Sequence, residues 1–186
     1  MSKHGWLPTT LGPNVSLIAM SNRQMKANAD IIAVVTVKEK MPARWSTPDA
    51  ALPKGIQIYE SVNENGETEE FMSMMTNNSE FIYADLVLEV NEVYKGENVP
   101  KYILLRAGGG TVGDFTWRHV EGCGPEDYEL GEKYLVYVEE DSGYANELGP
   151  NHYGLVYPFA KYDSKENGKY INWAGETANL FFLDFF

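Results

Sequence analysis

His119 and Cys123 stand four positions apart and are the residues whose types could do chemistry most directly. A structural zinc site uses four nitrogen or sulfur ligands, and only His4 and His152 remain to complete one. A thiol nucleophile would need the imidazole in contact with Cys123 and a third group to orient it. The simpler alternative, a histidine at a strand end and a small buried cysteine, is favoured. We therefore assign no catalytic residue and no metal ligand.

A glycine-rich stretch, Gly108-x-Gly110-x-x-Gly113, follows an apolar run and has the letter pattern of a dinucleotide-binding loop. Such a loop needs a helix after the glycines, because the helix N-terminus supplies the amide groups that face the pyrophosphate. The next residues, DFTWRHV (114–120), are aromatic, β-branched and alternating, and they predict a strand. We expect the glycines to form a wide turn or bulge between two antiparallel strands. No nucleotide and no other cofactor is predicted.

The strand after the glycines carries the candidate binding residues Phe115, Trp117, Arg118 and His119. In a small barrel such a strand can present an aromatic face to a ligand. Large aromatic side chains are more often buried, so we expect at least one of Phe115 and Trp117 to lie in the core. Arg118 points away from Trp117 in a strand and is expected to be exposed.

Most of the remaining chain has the patterns of strands. Predicted strands cover 31–40, 81–96, 101–107, 128–140 and 152–159. Within 81–96 the apolar register slips between Val90 and Val93, which indicates a β-bulge. Asn167-Gly168 predicts a hairpin over 162–173.

Three segments differ from this pattern. Residues 1–15 are expected to form an irregular arm, and 16–30 a helix with Ser16 as its N-cap. Residues 41–80 are acidic and rich in turn-forming residues, which predicts a solvated insertion with a weak hairpin around Asn65-Gly66. Together the elements predict a single all-β domain over 1–186, a small barrel of five to seven strands spanning 31–175.

Charge and composition exclude several partners. The net charge is −12, and residues 51–186 hold twenty-four acidic against nine basic side chains. Such a body repels phosphate backbones and anionic membrane surfaces, so no nucleic acid partner is expected. No stretch approaches the roughly 20 apolar residues of a membrane span, and the opening MSKHGWLPTTLGPN lacks the apolar centre of a signal peptide.

The final residues, NLFFLDFF (179–186), are strongly apolar. Their large side chains are Phe181, Phe182, Leu183, Phe185 and Phe186. Either this tail (within 176–186) docks on the core of its own domain, or it forms a strand that pairs with a partner or a second copy. The second alternative predicts a homo-oligomer assembled through 179–186.

Three stretches together carry a family resemblance. They are ADIIAVVTV (29–37), LEVNEVYKGENVPKYILLRAGGGTVG (88–113) and YELGEKYLVYVEE (128–140). In this order they resemble secreted bacterial proteins with an OB-fold module, and the module is similar to that of the tissue inhibitors of metalloproteinases and the netrin C-terminal domain. The resemblance covers roughly residues 28–173 and implies an OB-like barrel in a secreted or cell-envelope protein. The inhibitors use an N-terminal cysteine on the protease zinc, whereas this chain has Met1 and a single Cys123, so their inhibitory mechanism is not carried over.

Three functional hypotheses follow. The favoured one is a non-catalytic extracellular or cell-envelope binding module, with a protein as the expected partner. The second is a self-assembling structural subunit that uses the aromatic tail. The third is an enzyme that uses His119 with Cys123 or with an acidic neighbour such as Glu121.

Overall fold

The computed structural model describes residues 9–11, 20–47, 49–51, 56–62, 68–74, 82–117, 123–140, 152–156, 160–164, 169–172 and 175–178. Their strands are β1 (Thr9–Leu11), β2 (Ile31–Lys40), β3 (Arg44–Trp45), β4 (Ile56–Val62), β5 (Thr68–Met74), β6 (Ile82–Lys95), β7 (Tyr102–Gly108), β8 (Gly110–Val112), β9 (Phe115–Trp117), β10 (Lys133–Glu139), β11 (His152–Leu155), β12 (Lys161–Ser164) and β13 (Tyr170–Asn172). One α-helix, α1 (Asn22–Asn28), and one 3-10 helix, Pro125–Asp127, accompany them. The predicted all-β class is confirmed.

The centre of the molecule is a sheet that curls into a partly closed ring. Its strands run in the order β11-β7-β6-β2-β10, and β11 also pairs with β10. The β7–β11 pairing is parallel, whereas the other four pairings of the ring are antiparallel. The small barrel expected from the sequence is therefore present, with a ring of five strands.

Alternation along β2 explains why this strand is central. Ile31, Ala33, Val35 and Val37 point into the barrel core. Ile32 and Val34 point outward into a second apolar cluster. Since both faces of the strand are covered, almost every residue of its first seven is apolar, as expected for a strand buried on two sides.

The predicted β-bulge in the long strand β6 is confirmed. Ala33 pairs with Val93 and Val35 with Val90, and around this point the register shifts between Ile32 and Ala33 and again between Val34 and Val35. Each shift leaves one residue of β6 without an opposite partner, which bends the strand and increases its twist. The bend lets one continuous strand of fourteen residues serve a small barrel.

Helix α1 covers the outer face of β2 and β10. Its N-cap is Ser21, whose side chain and Gln24 form a capping box. Met25 is fully buried against this face. The helix lies inside the predicted range 16–30, but the expected cap, Ser16, is wrong for α1, because the Ser21–Gln24 pair satisfies the first amide groups. Ser16 itself lies outside the described residues.

Two segments predicted to be irregular contain strands. In the predicted arm, β1 pairs with β9 in parallel, so residues 9–11 correct that prediction. In the predicted insertion, β3 pairs with β6, and Trp45 is only 2% exposed. The β4–β5 hairpin forms as expected and is extensive, with seven paired residues on each strand. Its tip at Asn65-Gly66 lies outside the described residues.

The C-terminal part of the sheet is the predicted hairpin. Strand β12 pairs with β10 and with β13. Beyond β13 a bridge joins Ile171 to Thr177. The turn residues Asn167-Gly168 and the apolar tail 179–186 lie outside the described residues, so Phe181, Phe182, Leu183, Phe185 and Phe186 stay predictions.

The glycine stretch is organised differently from the expected wide turn. Gly108 ends β7, and the chain then leaves the ring and forms β8 as part of a second sheet with β9 and β1. Val112 pairs with Phe115, so Gly113 and Asp114 make a tight two-residue turn. The strand predicted after the glycines is confirmed over Phe115–Trp117, which leaves no helix at the position that a dinucleotide loop requires.

Candidate ligand-binding cleft at the barrel mouth

A cleft of about 610 Å³ lies at one end of the barrel. Ala84 forms part of its lining. In β6 this residue continues the alternation of the core residues Leu86 and Leu88, so the cleft lies where the inner face of the strand reaches the barrel mouth. Mouths of β-barrels are common ligand sites, and volumes of about 300–1,000 Å³ are typical of them.

Three segments of the chain form the walls of the cleft. One wall is the end of β2 and the bend into β3, with Lys40, Met41 and Ala43. A second wall is the β8–β9 hairpin, with Gly110, Thr111, Thr116 and Trp117. The third is the 3-10 helix, with Pro125, Glu126 and Asp127.

Gly110 sets the distance between the hairpin and the bend. Its φ is +117°, and a Cβ atom at this position would lie 2.6 Å from the Cβ of Ala43. Only glycine permits both this backbone conformation and this close approach. The amide of Gly109 donates to the Ile82 carbonyl at 2.8 Å, which ties the start of the hairpin to β6. The glycine stretch therefore builds a wall of the cleft.

The predicted aromatic residues take different positions. Phe115 is partly buried, and its ring meets that of the buried Trp45 edge-on, with centroids 5.9 Å apart. Trp117 is also partly buried, and it lines the cleft. Phe115 thus packs against the core at Trp45, while Trp117 faces the candidate site. Arg118 and His119 lie outside the described residues, and their predicted roles stay predictions.

Asp85 contacts the bend from β2 into β3 through both its backbone and its side chain. Its backbone carbonyl accepts from the Met41 amide at 2.9 Å. Its carboxylate accepts from Arg44 at 3.2 Å. The same carboxylate forms two hydrogen bonds with Arg106, at 3.0 and 3.3 Å, directly across the β6–β7 pairing. The Arg106 guanidinium stacks on the Tyr83 ring, 3.6 Å from its centroid.

This ionic group was not among the sites predicted from the sequence. Asp85 and Arg106 are each a single charge in an otherwise apolar run, and both are buried. A buried charge needs a partner, so a lone acid and a lone base on two consecutive strands could have identified the pair.

The 3-10 helix is held by the residues that follow it. Tyr128 inserts into the barrel core and is fully buried. Its ring meets that of Tyr134 edge-on at 5.1 Å, and the Tyr134 hydroxyl accepts from the Glu129 amide at 2.8 Å. The Lys161 ammonium lies 4.5 Å from the centroid of the Tyr134 ring and bonds Asp163 at 2.7 Å.

Cys123 precedes the 3-10 helix and is buried. Burial raises the pKa of its thiol to about 12, and the carboxylates of Asp127 and Glu126 add to the effect, while Lys161 opposes it. The thiol is therefore protonated at neutral pH, which makes it a poor nucleophile. His119 lies outside the described residues, so the geometry of a His119–Cys123 pair stays untested.

Other site types receive no support from the residues described. Over those ranges no three His, Cys, Asp or Glu side chains gather in a way that could hold a metal ion. None of the described helices has the length and apolar character needed to cross a membrane. Comparison with protein-family models, with curated proteins and with solved structures finds no match.

Proposed function

We propose that this protein is a non-catalytic binding module and that the cleft at the barrel mouth is its ligand site. The observation that carries the proposal is the position of Trp117, which lies on the strand singled out from the sequence and lines a cleft of about 610 Å³. Apolar clefts with a few polar groups at a barrel mouth are typical of ligand sites. The expected ligand is a segment of a partner protein.

The topology of the ring supports an OB-like barrel within this proposal. Five strands close through one parallel and four antiparallel pairings, with the parallel pairing between the third and the last strand of the ring in chain order. A five-stranded, partly open barrel is the architecture of OB-folds, many of which bind ligands on one face. Location outside the cytoplasm remains part of the proposal and rests on the resemblance alone.

The state of Cys123 favours binding over thiol catalysis. An enzyme built on this residue would need a thiolate near neutral pH, and burial together with two carboxylates favours the protonated thiol. The predicted base, His119, lies outside the described residues and would have to offset that preference.

Selection from a display library of random peptides tests the proposal. We expect peptides that bind the full chain, lose binding to Trp117→Ala and keep binding to Tyr102→Ala. Tyr102 is a matched control because it is an aromatic residue, 45% exposed, away from the cleft. Circular dichroism melting of both variants checks that the fold is intact. Failure to recover any peptide that depends on Trp117 would contradict the proposal.

A further inference from the structure

The two sides of the cleft carry opposite and unequal charges. Lys40 stands on the wall formed by the end of β2, and Glu126 and Asp127 stand on the 3-10 helix. The Asp127 carboxylate already accepts from the Gly124 amide at 2.9 Å. Within the described part of the chain, neither Lys40 nor Glu126 has a side-chain hydrogen bond or ion pair. Glu126 is exposed, and its carboxylate lies against the backbone of Gly124 at the start of the 3-10 helix.

Apolar side chains line the cleft together with these charges. Trp117 and Met41 are the large ones, and Met41 is 36% exposed. An exposed thioether adapts to different apolar partners, and an indole offers a flat face to an aliphatic or aromatic group. The cleft therefore combines an apolar surface with a carboxylate at its edge.

The negative charge of the whole chain favours a positively charged partner. At −12, with the excess in residues 51–186, the molecule attracts cations and repels anions before any contact forms. A basic group that reaches the cleft finds the carboxylate of Glu126 on the 3-10 helix. An acidic group would find one ammonium, that of Lys40, in an acidic surrounding.

We infer that the cleft takes a segment of a partner protein in which a basic side chain stands beside an aromatic or aliphatic one. The apolar side chain packs on Trp117 and Met41, and the basic side chain pairs with Glu126. This inference rests on the proposed function and adds the chemistry of the ligand to it.

The test compares selected peptides across charge variants. The same library is applied to the wild-type chain, to Glu126→Lys and to Glu97→Lys. Glu97 is an exposed acid in the β6–β7 turn and outside the cleft lining, so its variant changes the net charge equally without changing the site. We expect Lys and Arg to be enriched in peptides selected on the wild type and on Glu97→Lys, and lost from those selected on Glu126→Lys.

Affinity measurement sharpens the result. For one selected basic peptide we expect Kd to rise at least about tenfold in Glu126→Lys, since like charges at an interface disfavour binding strongly, and to change little in Glu97→Lys. Peptides that depend on Trp117 but carry no excess of basic residues would overturn the inference and leave the proposed function standing. An equal loss of affinity in both charge variants would also overturn it, because attraction would then be global. Absence of any peptide that depends on Trp117 would remove both.

Discussion

Two buried cations lie next to different walls of the cleft, and they are paired in different ways. On the β3 side, Arg106 donates two hydrogen bonds to Asp85, and the two side chains are only 6% and 5% exposed. On the side of the 3-10 helix, Lys161 donates one hydrogen bond to Asp163, whose side chain is 37% exposed. A planar guanidinium fits a carboxylate in two places at once, whereas an ammonium acts as a point charge.

The tyrosine rings beside the two cations also differ in how closely they contact the charge. Tyr83 lies under the Arg106 guanidinium at 3.6 Å, which is close cation–π stacking. Tyr128 lies 5.1 Å from the Lys161 ammonium, and its buried hydroxyl has no hydrogen-bond partner within the described part of the chain. The buried Asp85–Arg106 pair, which also contacts Arg44, makes the β3 wall the more firmly held side of the cleft. We expect the 3-10 helix to be the side that yields when a ligand enters.

The largest loss of stability is expected when the buried ion pair between Asp85 and Arg106 is broken. Asp85→Ala leaves the Arg106 charge buried without its carboxylate, which should lower the free energy of unfolding by about 3–5 kcal/mol. Removing the exposed partner with Arg44→Ala should cost about 1 kcal/mol or less. Urea denaturation of the three proteins measures both differences.

A double variant separates charge from shape at the same place. In Asp85→Leu/Arg106→Met the buried pair is replaced by apolar groups, and stability should return close to that of the wild type. If Asp85→Ala and Arg44→Ala lowered the free energy of unfolding equally, the buried Asp85–Arg106 pair would not be what stabilises the β3 wall, and the proposed difference between the two walls would be wrong.

A second effect concerns Cys123, which precedes the 3-10 helix, and it appears only at alkaline pH. The folded-state pKa of Cys123 is about 12, above its ordinary value of 9.0, so the folded state favours the protonated thiol. The stability that the raised pKa of Cys123 contributes is fully present below pH 9. It is lost as the pH rises towards 12, because the unfolded chain releases the thiol proton at a lower pH than the folded chain.

We therefore expect the free energy of unfolding to fall more steeply in the wild type than in Cys123→Ala above pH 9, by at most about 1.4 kcal/mol per pH unit. Urea titrations at a series of pH values measure the difference between the two slopes. Tyr137 and Tyr162 titrate in both proteins and cancel in the comparison, whereas Tyr128, whose pKa the Cys123 thiolate helps to raise, adds to the difference in the same alkaline range. Parallel curves from neutral to alkaline pH would contradict the buried protonated thiol.

The smallest effect distinguishes the two tyrosines that meet edge-on. Tyr134→Phe removes a hydroxyl that binds the Glu129 amide, so it should cost about 0.5–1.5 kcal/mol. Tyr128→Phe removes a hydroxyl that binds no described group, so stability should stay unchanged or rise slightly. Thermal melting of the two variants, which lose the same atom, gives the comparison directly. A larger loss in Tyr128→Phe would mean that its hydroxyl is satisfied in solution.

The strands of the ring could be predicted because their local patterns agree with their environment. β2 is apolar on both faces and is buried on both, and the slip between Val90 and Val93 in β6 is a bulge in the fold. The N-cap of α1 was missed although Ser21 and Gln24 have the spacing of a capping box, a signal that was present in the sequence.

Other elements could not be predicted because distant partners create them. β1 is a strand only because Thr9–Leu11 lie beside Phe115–Trp117, more than a hundred positions later in the chain. The cleft has the same origin, because its walls come from the end of β2, from the β8–β9 hairpin and from the 3-10 helix. Trp117 was identified because aromatic residues in a strand are visible locally, whereas Glu126 has no signal until the fold brings it into the same cleft as Trp117.

The closing strand of the ring has a consequence for how the chain is made. β11 joins β7 through two residue pairs, His152 with Leu104 and Tyr153 with Leu105, and joins β10 through two more. During translation every wall of the cleft emerges from the ribosome before this strand does, since proteins are synthesised from the N-terminus. The edge of β7 that β11 covers in the folded chain therefore has no partner strand until residue 155 has left the exit tunnel. An unpaired strand edge can bind a chaperone or a neighbouring nascent chain during that interval.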